Sequence, residues 1–255
     1  MLDRTVVAFD IETIPDPDFG RRALGIEGED ADVVGEMVER RLEETKGSTE
    51  YPQLPMHRIV TVCATSLDPA SGAVTIRKLG GAAMDERSHV EGFSALLRAS
   101  PRIVSWNGGG FDLPVLRYRG MLLGVAAPEL YRDPYLDRRG DLHVDLMDVL
   151  SGYGASSRVG LGTLSTALGL PGKSFLSRAI YEHVLAGETE VVDEYCKLDT
   201  VLTMYLFLAF AFHTGAASRG DVDRFSRSLR ACVASQPFGG WHDLDAVLAK
   251  WPPWS

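Results

Sequence analysis

Apolar and polar residues follow one another along the chain in blocks that predict an α/β protein. Runs of strand length, rich in β-branched residues, lie at 4–10, 58–68, 73–80 and 102–107. The second and third runs are separated by the turn sequence PASG, which predicts a hairpin. A further short strand is expected within 141–150, where DLHVDLMDVL passes from a strand into the start of a helix.

Helical periodicity predicts the elements between and after these strands. Residues 29–45 form an otherwise charged helix with one apolar stripe, made by Val33, Val34, Met37, Val38 and Leu42. Other helices are expected at 88–99, 112–123, 161–168, 188–212 and 221–232. An early hairpin followed by strands that alternate with helices predicts a mixed sheet flanked by helices.

The domain organisation follows from the same pattern. The chain has 255 residues and shows no internal repeat or low-complexity tract. We assign residues 1–215 to one domain, which is long enough to enclose a substantial core. Residues 216–255, a helix with a Trp/Pro-rich tail, are expected to be a C-terminal helical extension packed on or trailing this domain.

Apolar segments and cysteines bear on the compartment. The longest apolar run, VLTMYLFLAFAF at 201–212, is shorter than a membrane span and follows charged residues, so we expect no membrane association. The N-terminal segment runs into a strand without the apolar segment of a signal peptide. Cys63, Cys196 and Cys232 are isolated and odd in number, which favours a reducing, cytoplasmic location over disulfides or zinc.

The charge of the chain is unevenly distributed. A net charge of −9 would disfavour a nucleic-acid partner if it were spread evenly. Residues 1–50, however, hold 14 acidic and 6 basic residues, whereas the rest of the chain holds 21 and 20. The acidity therefore belongs to the N-terminal part, and the remainder can carry a locally basic surface.

Two carboxylates end the first predicted strand. Alternate strand residues point to the same face, so Asp10 and Glu12 of TVVAFDIETIPD lie side by side. Two like charges at the end of a core strand are costly unless they are compensated. The alternative is an exposed strand end with two solvated acids, and the D-x-E pattern alone does not separate these interpretations.

Two further stretches place acids at the ends or edges of elements. In IVSWNGGGFDLPVL a short strand leads through Asn107 and three glycines to Phe111 and Asp112 at the start of a helix. An N-cap role would explain Asp112 alone, but not the glycine-only turn and its aromatic residue. In VVDEYCKLDTVLTMYLFLAF, Tyr195 and Asp199 lie one helical turn apart, with Asp199 at the edge of a buried stripe.

Taken together, the three stretches resemble the motifs of the DEDDy 3′–5′ exonucleases: Asp10-Ile11-Glu12, Asn107-x3-Phe111-Asp112 and Tyr195-x3-Asp199. The likeness is closest to the proofreading exonuclease domain of family-B DNA polymerases, because the second motif has the N-x-x-x-F-D spacing followed by Leu-Pro. The resemblance covers about residues 4–212 and includes no polymerase palm or fingers region. The chain therefore looks like a free-standing relative of that domain.

The resemblance implies a ribonuclease-H-like α/β fold with five catalytic residues: Asp10, Glu12, Asp112, Tyr195 and Asp199. It implies that the four acids bind two Mg²⁺ or Mn²⁺ ions, which prefer oxygen ligands. Asp10 would bridge the ions, Glu12 and Asp199 would complete the site of the attacking water, and Asp112 would support the second ion. The Tyr195 hydroxyl would orient that water.

The resemblance also implies substrate contacts. Asn107 and Phe111 would lie against the terminal nucleotide, and the three glycines would let the chain pass close to it. Asp145 is an ambiguous acid that could neighbour the site, although such acids are more often structural, and His143 and His183 are expected to be ordinary polar residues. Basic residues between the second and third motifs are candidates for phosphate contacts, with a solvated surface charge the better expectation for each: Arg117, Arg119, Arg158, Lys173 and Arg178.

These observations predict a metal-dependent 3′–5′ exonuclease that acts by a two-metal-ion mechanism on nucleic acid with a free 3′ end, single-stranded DNA being favoured. A 3′–5′ exoribonuclease stays open, because relatives with the same five residues process RNA. A non-catalytic nucleic-acid-binding module on a nuclease fold is a second alternative, which the complete set of acids and the tyrosine disfavours. A metal-dependent phosphatase or nucleotide hydrolase is a third, and it should attack mononucleotides.

Overall fold

A mixed sheet forms the centre of the molecule in a computed structural model that describes residues 1–80, 85–172, 180–236, 238 and 244–254. Its strands are β1 (Val6–Pro15), β2 (His57–Leu67), β3 (Val74–Lys78), β4 (Arg102–Ser105) and β5 (His143–Asp145). They lie in the order β3-β2-β1-β4-β5. β1 and β3 each pair antiparallel with β2, whereas β4 runs parallel to both β1 and β5. The predicted hairpin is present as β2 and β3.

Helices flank this sheet, which confirms the predicted architecture. Those in the described residues are α1 (Pro17–Leu24), α2 (Asp30–Glu44), α3 (Glu86–Leu97), α4 (Asp112–Leu122), α5 (Asp133–Leu136), α6 (Leu146–Leu150), α7 (Leu161–Ala167), α8 (Ile180–Leu185), α9 (Thr189–His213), α10 (Arg219–Ala234) and α11 (Leu244–Leu248). Short 3₁₀ helices lie at Leu54–Met56 and Pro128–Tyr131.

The alternation of side chains along β1 gives each face of the sheet its own core. Val7 and Phe9 point to the face covered by α3 and α4 and pack with their apolar residues. Val6 and Ala8 point to the opposite face, where α9 and α10 cover the sheet. Asp10 and Glu12 continue the alternation of Val6 and Ala8, so they point to the face of the sheet that α9 covers.

β1 is longer than the sequence pattern predicts. It continues to Pro15, because β2 supplies an antiparallel partner along its whole length. The register shifts between Glu12 and Thr13, where β2 carries one extra residue in a β-bulge. Asp10 and Glu12 therefore lie within a paired strand, and the expectation that they stand at its end is wrong.

Helix α9 fills the core on its face of the sheet. It is long and apolar enough, by length and composition alone, to cross a membrane, with a mean hydropathy of 1.4. In the fold, 83% of the most apolar 18-residue stretch of this helix is buried. This burial is typical of the core helix of a domain, and it places the third motif inside the molecule.

The chain between β1 and β2 forms a helical pair at the edge of the sheet. Asp16 caps α1 by accepting a hydrogen bond from the backbone of Asp18, and Pro17 occupies the first helical turn. α1 and α2 cross closely at Gly20, where a Cβ would come within 2.6 Å of Val33 and 2.7 Å of Met37. Pro17 thus stands in the first turn of a helix, directly after the end of β1 at Pro15.

The described part of residues 216–255 packs on the α9 side. Helix α10 begins with a capping box between Ser218 and Asp221 and lies against α9 and β3. The Trp251 ring lies edge-on to the ring of Tyr205 on α9, with centroids 4.9 Å apart. The division between residues 1–215 and 216–255 stays a prediction.

Candidate active site

Three carboxylates from two motifs meet between β1 and α9. Ligand oxygens of Asp10, Glu12 and Asp199 lie within 4.8 Å of one another. Glu12 and Asp199 are only 8% and 1% exposed, so their charges are largely shielded from bulk water. Three clustered carboxylates in such a setting favour a cation, and an all-oxygen donor set suits a hard ion such as Mg²⁺ or Mn²⁺. The group therefore fits a divalent metal.

Asp112 lies beside this group and is tied to the first motif. Its Oδ1 accepts a hydrogen bond from the backbone N–H of Ile11 at 3.1 Å, and its side chain is buried. Ile11 is the residue between Asp10 and Glu12, so the second motif reaches the strand that carries the first. Asp112 is the first residue of α4, and Phe111 occupies the N-cap position. The cap explanation for Asp112 is therefore wrong.

Cys196 lies next to the carboxylate group, and the negative charge of that group affects the pKa of its thiol. The Cys196 thiol donates a hydrogen bond to the backbone oxygen of Asp10 at 3.4 Å. Burial raises the pKa of this thiol well above its usual value, and neighbouring Cys63 and the charges of Asp10 and Glu12 raise it further. Cys196 therefore stays protonated at neutral pH, which leaves the metal-ligating chemistry to the carboxylates.

Tyr195 stands one turn before Asp199 on the same side of α9. It is 2% exposed and packs with Ile14 of β1, Ile180 of α8 and Val192. Since Ile14 continues the series of Asp10 and Glu12 along β1, the tyrosine lies next to the acids along the strand. Packing on three sides fixes the position of its ring.

The turn of the second motif is held by Asp145. Asn107 adopts a left-handed conformation, with φ of 71°, as the chain leaves β4. The two carboxylate oxygens of Asp145 accept hydrogen bonds from the backbone N–H groups of Asn107 and Gly109, each at 2.9 Å. Asp145 also caps α6 through the backbone N–H of Asp148. The ambiguous acid therefore supports the turn and does not belong to the carboxylate group.

Contacts within the protein account for part of the glycine turn. A Cβ at Gly108 would come within 2.5 Å of the Ser105 hydroxyl oxygen, which leaves no room for a side chain. One at Gly110 would come within 2.8 Å of the Asn107 side-chain oxygen, the end of a flexible side chain. Internal packing thus requires the glycine at position 108, and the interpretation that the three glycines let the chain pass close to the substrate stays a prediction.

Loss of the Asp145 carboxylate should destabilise the fold. Asp145→Ala removes the acceptors of the part-buried N–H groups of Asn107 and Gly109, and each lost hydrogen bond should cost about 1 kcal/mol. Asp145→Asn keeps one acceptor oxygen, so its free energy of unfolding should fall by roughly half as much as that of Asp145→Ala. Urea denaturation of both variants measures the difference. Equal midpoints for Asp145→Ala and the wild type would refute the role given to this side chain.

A cleft of about 1060 Å³ opens beside Glu12. Asn107 and Phe111 line it, as does the segment 49–55 from the helical insertion between β1 and β2. The ring of His57 lies edge-on to that of Phe111, with centroids 5.0 Å apart. Both residues predicted to contact the substrate therefore face one continuous space next to the acids.

His57 joins the two sides of this cleft. Its Nε2 lies 3.2 Å from the carbonyl of Pro52, and its Nδ1 lies 2.9 Å from the Thr13 hydroxyl. A carbonyl can only accept, so Nε2 carries the hydrogen and Nδ1 accepts from Thr13. Burial lowers the pKa of His57 and keeps the ring neutral. Sequence reasoning missed this residue, since the bulged register that pairs it with β1 has no local sequence signal.

The three described basic residues that were candidates for phosphate contacts have partners within the protein. Arg119 is 4% exposed and bonds to Asp16 and Glu86, so it is neither a phosphate contact nor a solvated charge. Arg117 donates to the carbonyl of Leu130, and Arg158 pairs with Asp148. Lys173 and Arg178 lie outside the described residues.

His143 and His183, which were expected to be ordinary polar residues, have structural surroundings. His143 is buried on β5 and hydrogen-bonds to the Ser105 hydroxyl at 2.9 Å. Burial lowers the pKa of His143 to about 4, so it is neutral at physiological pH. His183 pairs with Glu188 at 2.7 Å. Neither belongs to the carboxylate group.

Comparisons with known proteins agree with this arrangement. A family model described as "Predicted 3'-5' exonuclease related to the exonuclease domain of PolB" matches residues 49–251, which include the second and third motifs. No curated protein matches the chain. Among solved structures, the family-B DNA polymerase from the hyperthermophilic archaeon Pyrobaculum calidifontis is similar in fold, with a TM-score of 0.51 and 18% identity. The alignment covers 96% of this chain and 27% of the polymerase. The ribonuclease-H-like fold is thereby confirmed.

Proposed function

Because the chain belongs to the family of predicted 3′–5′ exonucleases related to the exonuclease domain of PolB, we propose that it removes nucleotides from the 3′ end of single-stranded DNA by metal-dependent hydrolysis. The observation that supports this most directly is the group of Asp10, Glu12 and Asp199, whose oxygens lie within 4.8 Å of one another beside an open cleft. The buried hydrogen bond from Ile11 to Asp112 brings the fourth acid to the same place.

The four acids are the residues that would hold the metal. Two divalent ions, when bound, would neutralise charge on the phosphoryl oxygens and lower the pKa of the attacking water. Asp10, Glu12 and Asp199 offer oxygens from two elements of the core, so their spacing is fixed by the packing of α9 on β1. Asp112 fixes the position of the turn that carries Asn107 and Phe111 relative to those oxygens.

Tyr195 and the cleft residues would act on the water and the substrate. A tyrosine hydroxyl is a weak base at neutral pH, so we assign Tyr195 the orientation of the attacking water and not the removal of its proton. Asn107 and Phe111, at the cleft end nearest the acids, would hold the terminal nucleotide with its phosphodiester bond toward Asp10.

The proposal is tested with purified protein and 5′-labelled oligonucleotides of DNA and RNA in Mg²⁺ or Mn²⁺. We expect a ladder that shortens from the 3′ end of single-stranded DNA, and its loss in EDTA or in Asp10→Ala. A faster ladder on RNA would identify an exoribonuclease. Binding without turnover under any divalent ion would favour the non-catalytic module, and phosphate released from mononucleotides would favour the phosphatase.

A further inference from the structure

The cleft beside the acids has one wall that none of the three motifs supplies. The wall nearest the acids contains Asn107, Phe111 and, further along α4, Tyr118. The opposite wall is formed by residues 49–55 and by the α2 residues Val34, Val38 and Arg41. Any strand whose 3′ end reaches Glu12 through this cleft must pass between the two walls.

Two tyrosines in these walls are unusually exposed. Tyr51 is 62% exposed and Tyr118 is 41% exposed, and both line the cleft. Phe111 adds a third ring nearest the acids. Large exposed aromatic residues that lie along one groove provide a sequence-tolerant surface on which successive bases stack.

The charges that line the cleft argue for contact with bases and not with phosphates. Helix α2 presents Val34, Val38 and Arg41 to the cleft, and none of its six carboxylates lines it. Among the described residues that line the cleft, Arg41 is the single Arg or Lys. Its guanidinium donates to the backbone oxygen of Tyr51 at 3.0 Å and to Glu44 at 3.2 Å, so it is already engaged. With no unengaged Arg or Lys among these residues to attract phosphates, the aromatic and apolar groups are left to hold a single strand.

The wall is fixed in place before any substrate binds. Arg41 holds the backbone of Tyr51, and His57 holds the carbonyl of Pro52. His57 also packs against Phe111, so the two walls keep a fixed separation. A backbone that is already held in place loses little freedom on binding, so less of the stacking energy is spent on ordering it.

We infer that Tyr51 and Tyr118 form a stacking site for the bases upstream of the 3′-terminal nucleotide. They would set the affinity for single-stranded ends, with purines bound more tightly than pyrimidines because purines offer larger stacking surfaces. The inference rests on the proposed function for the direction of the strand, but its test measures binding and needs no turnover.

The test is the dissociation constant of a fluorescein-labelled single-stranded DNA 12-mer, measured by anisotropy in EDTA. Tyr51→Ala and Tyr118→Ala should each weaken binding about tenfold, within the range known for loss of one stacked base. Tyr51→Phe and Tyr118→Phe keep the rings and should bind within about twofold of the wild type. Tyr131→Ala is the matched control, since Tyr131 is 54% exposed and does not line the cleft.

A second measurement separates stacking from a general effect on folding. With 2-aminopurine two nucleotides from the 3′ end, the wild type and both Phe variants should quench its fluorescence, and the corresponding Ala variants should not. Unchanged affinity and quenching in both Ala variants would overturn the inference. Absence of a degradation ladder in wild-type protein would instead refute the proposed function. The stacking site would then still be decided by the binding measurements.

Discussion

Replacement of Asp199 by asparagine is expected to lower the rate of hydrolysis by at least about a thousandfold while the protein stays folded. A bound metal contributes several kcal/mol to transition-state stabilisation, and about 1.4 kcal/mol corresponds to a factor of ten in rate. Asp199 is 1% exposed and shares its group with Asp10 and Glu12. Asparagine has nearly the same shape, so the packing of α9 is preserved while a charged ligand is lost.

Single-turnover kinetics on a 5′-labelled oligonucleotide measure this effect directly. Thermal unfolding with and without Mn²⁺ adds a readout of metal binding, because a ligand of the native state raises Tm. The wild type should be stabilised by Mn²⁺ and Asp199→Asn much less so. Asp193→Asn is the control on the same helix, since Asp193 pairs with Lys78 at 2.9 Å and is not part of the carboxylate group. A rate for Asp199→Asn within tenfold of the wild type would contradict the site assignment.

Replacement of Arg119 by methionine is expected to give a large loss of stability, about 3–5 kcal/mol, because it leaves the buried carboxylate of Asp16 and the largely buried one of Glu86 without their cation. Arg119 donates to both oxygens of Glu86 and to Asp16, each at 2.7 Å. Burial disfavours the charged guanidinium, but these bonds outweigh it and raise the pKa of Arg119. The network links α4 to the start of α1 and of α3, so its loss should loosen the helical insertion from the sheet.

Urea denaturation of Arg119→Met measures this loss, and a triple variant provides its control. Adding Asp16→Asn and Glu86→Gln removes the stranded charges while keeping an N-cap for α1 and an acceptor for the Ile59 N–H group. The triple variant should therefore recover at least half of the lost stability. A loss below about 1 kcal/mol in Arg119→Met would show that water or a shifted pKa relieves the buried charges.

Local patterns predicted most of the elements because each carries its own signal. The hairpin of β2 and β3 is recognisable from two apolar runs around PASG, and α9 from a continuous apolar stretch of helical length. The spacing of Tyr195 and Asp199 predicted a shared helical face for the same reason. The residues of the three motifs lie far apart in the chain, so only the resemblance to a known family related them before the structure did.

The features that were not predicted depend on contacts between distant residues. The extension of β1 to Pro15 requires its partner β2, and the role of Asp145 requires the turn at Asn107 to lie next to β5. Arg119 resembled a surface cation in sequence, because its partners Asp16 and Glu86 precede it by many residues. The acidic helix α2 became part of the cleft only through the fold.

The position of Asp199 on α9 has a consequence for the motions of the molecule. A helix buried in the core opens only when the whole cooperative unit unfolds, whereas surface segments with little regular structure open locally. Because α9 lies in the core, the carboxylate group that includes Asp199 shares the lifetime of the native state. Residues 49–55 are held by separate hydrogen bonds at the surface, so a local opening there does not reach the acids. The geometry of the carboxylate group therefore stays the same while one nucleotide replaces the next in successive rounds of hydrolysis.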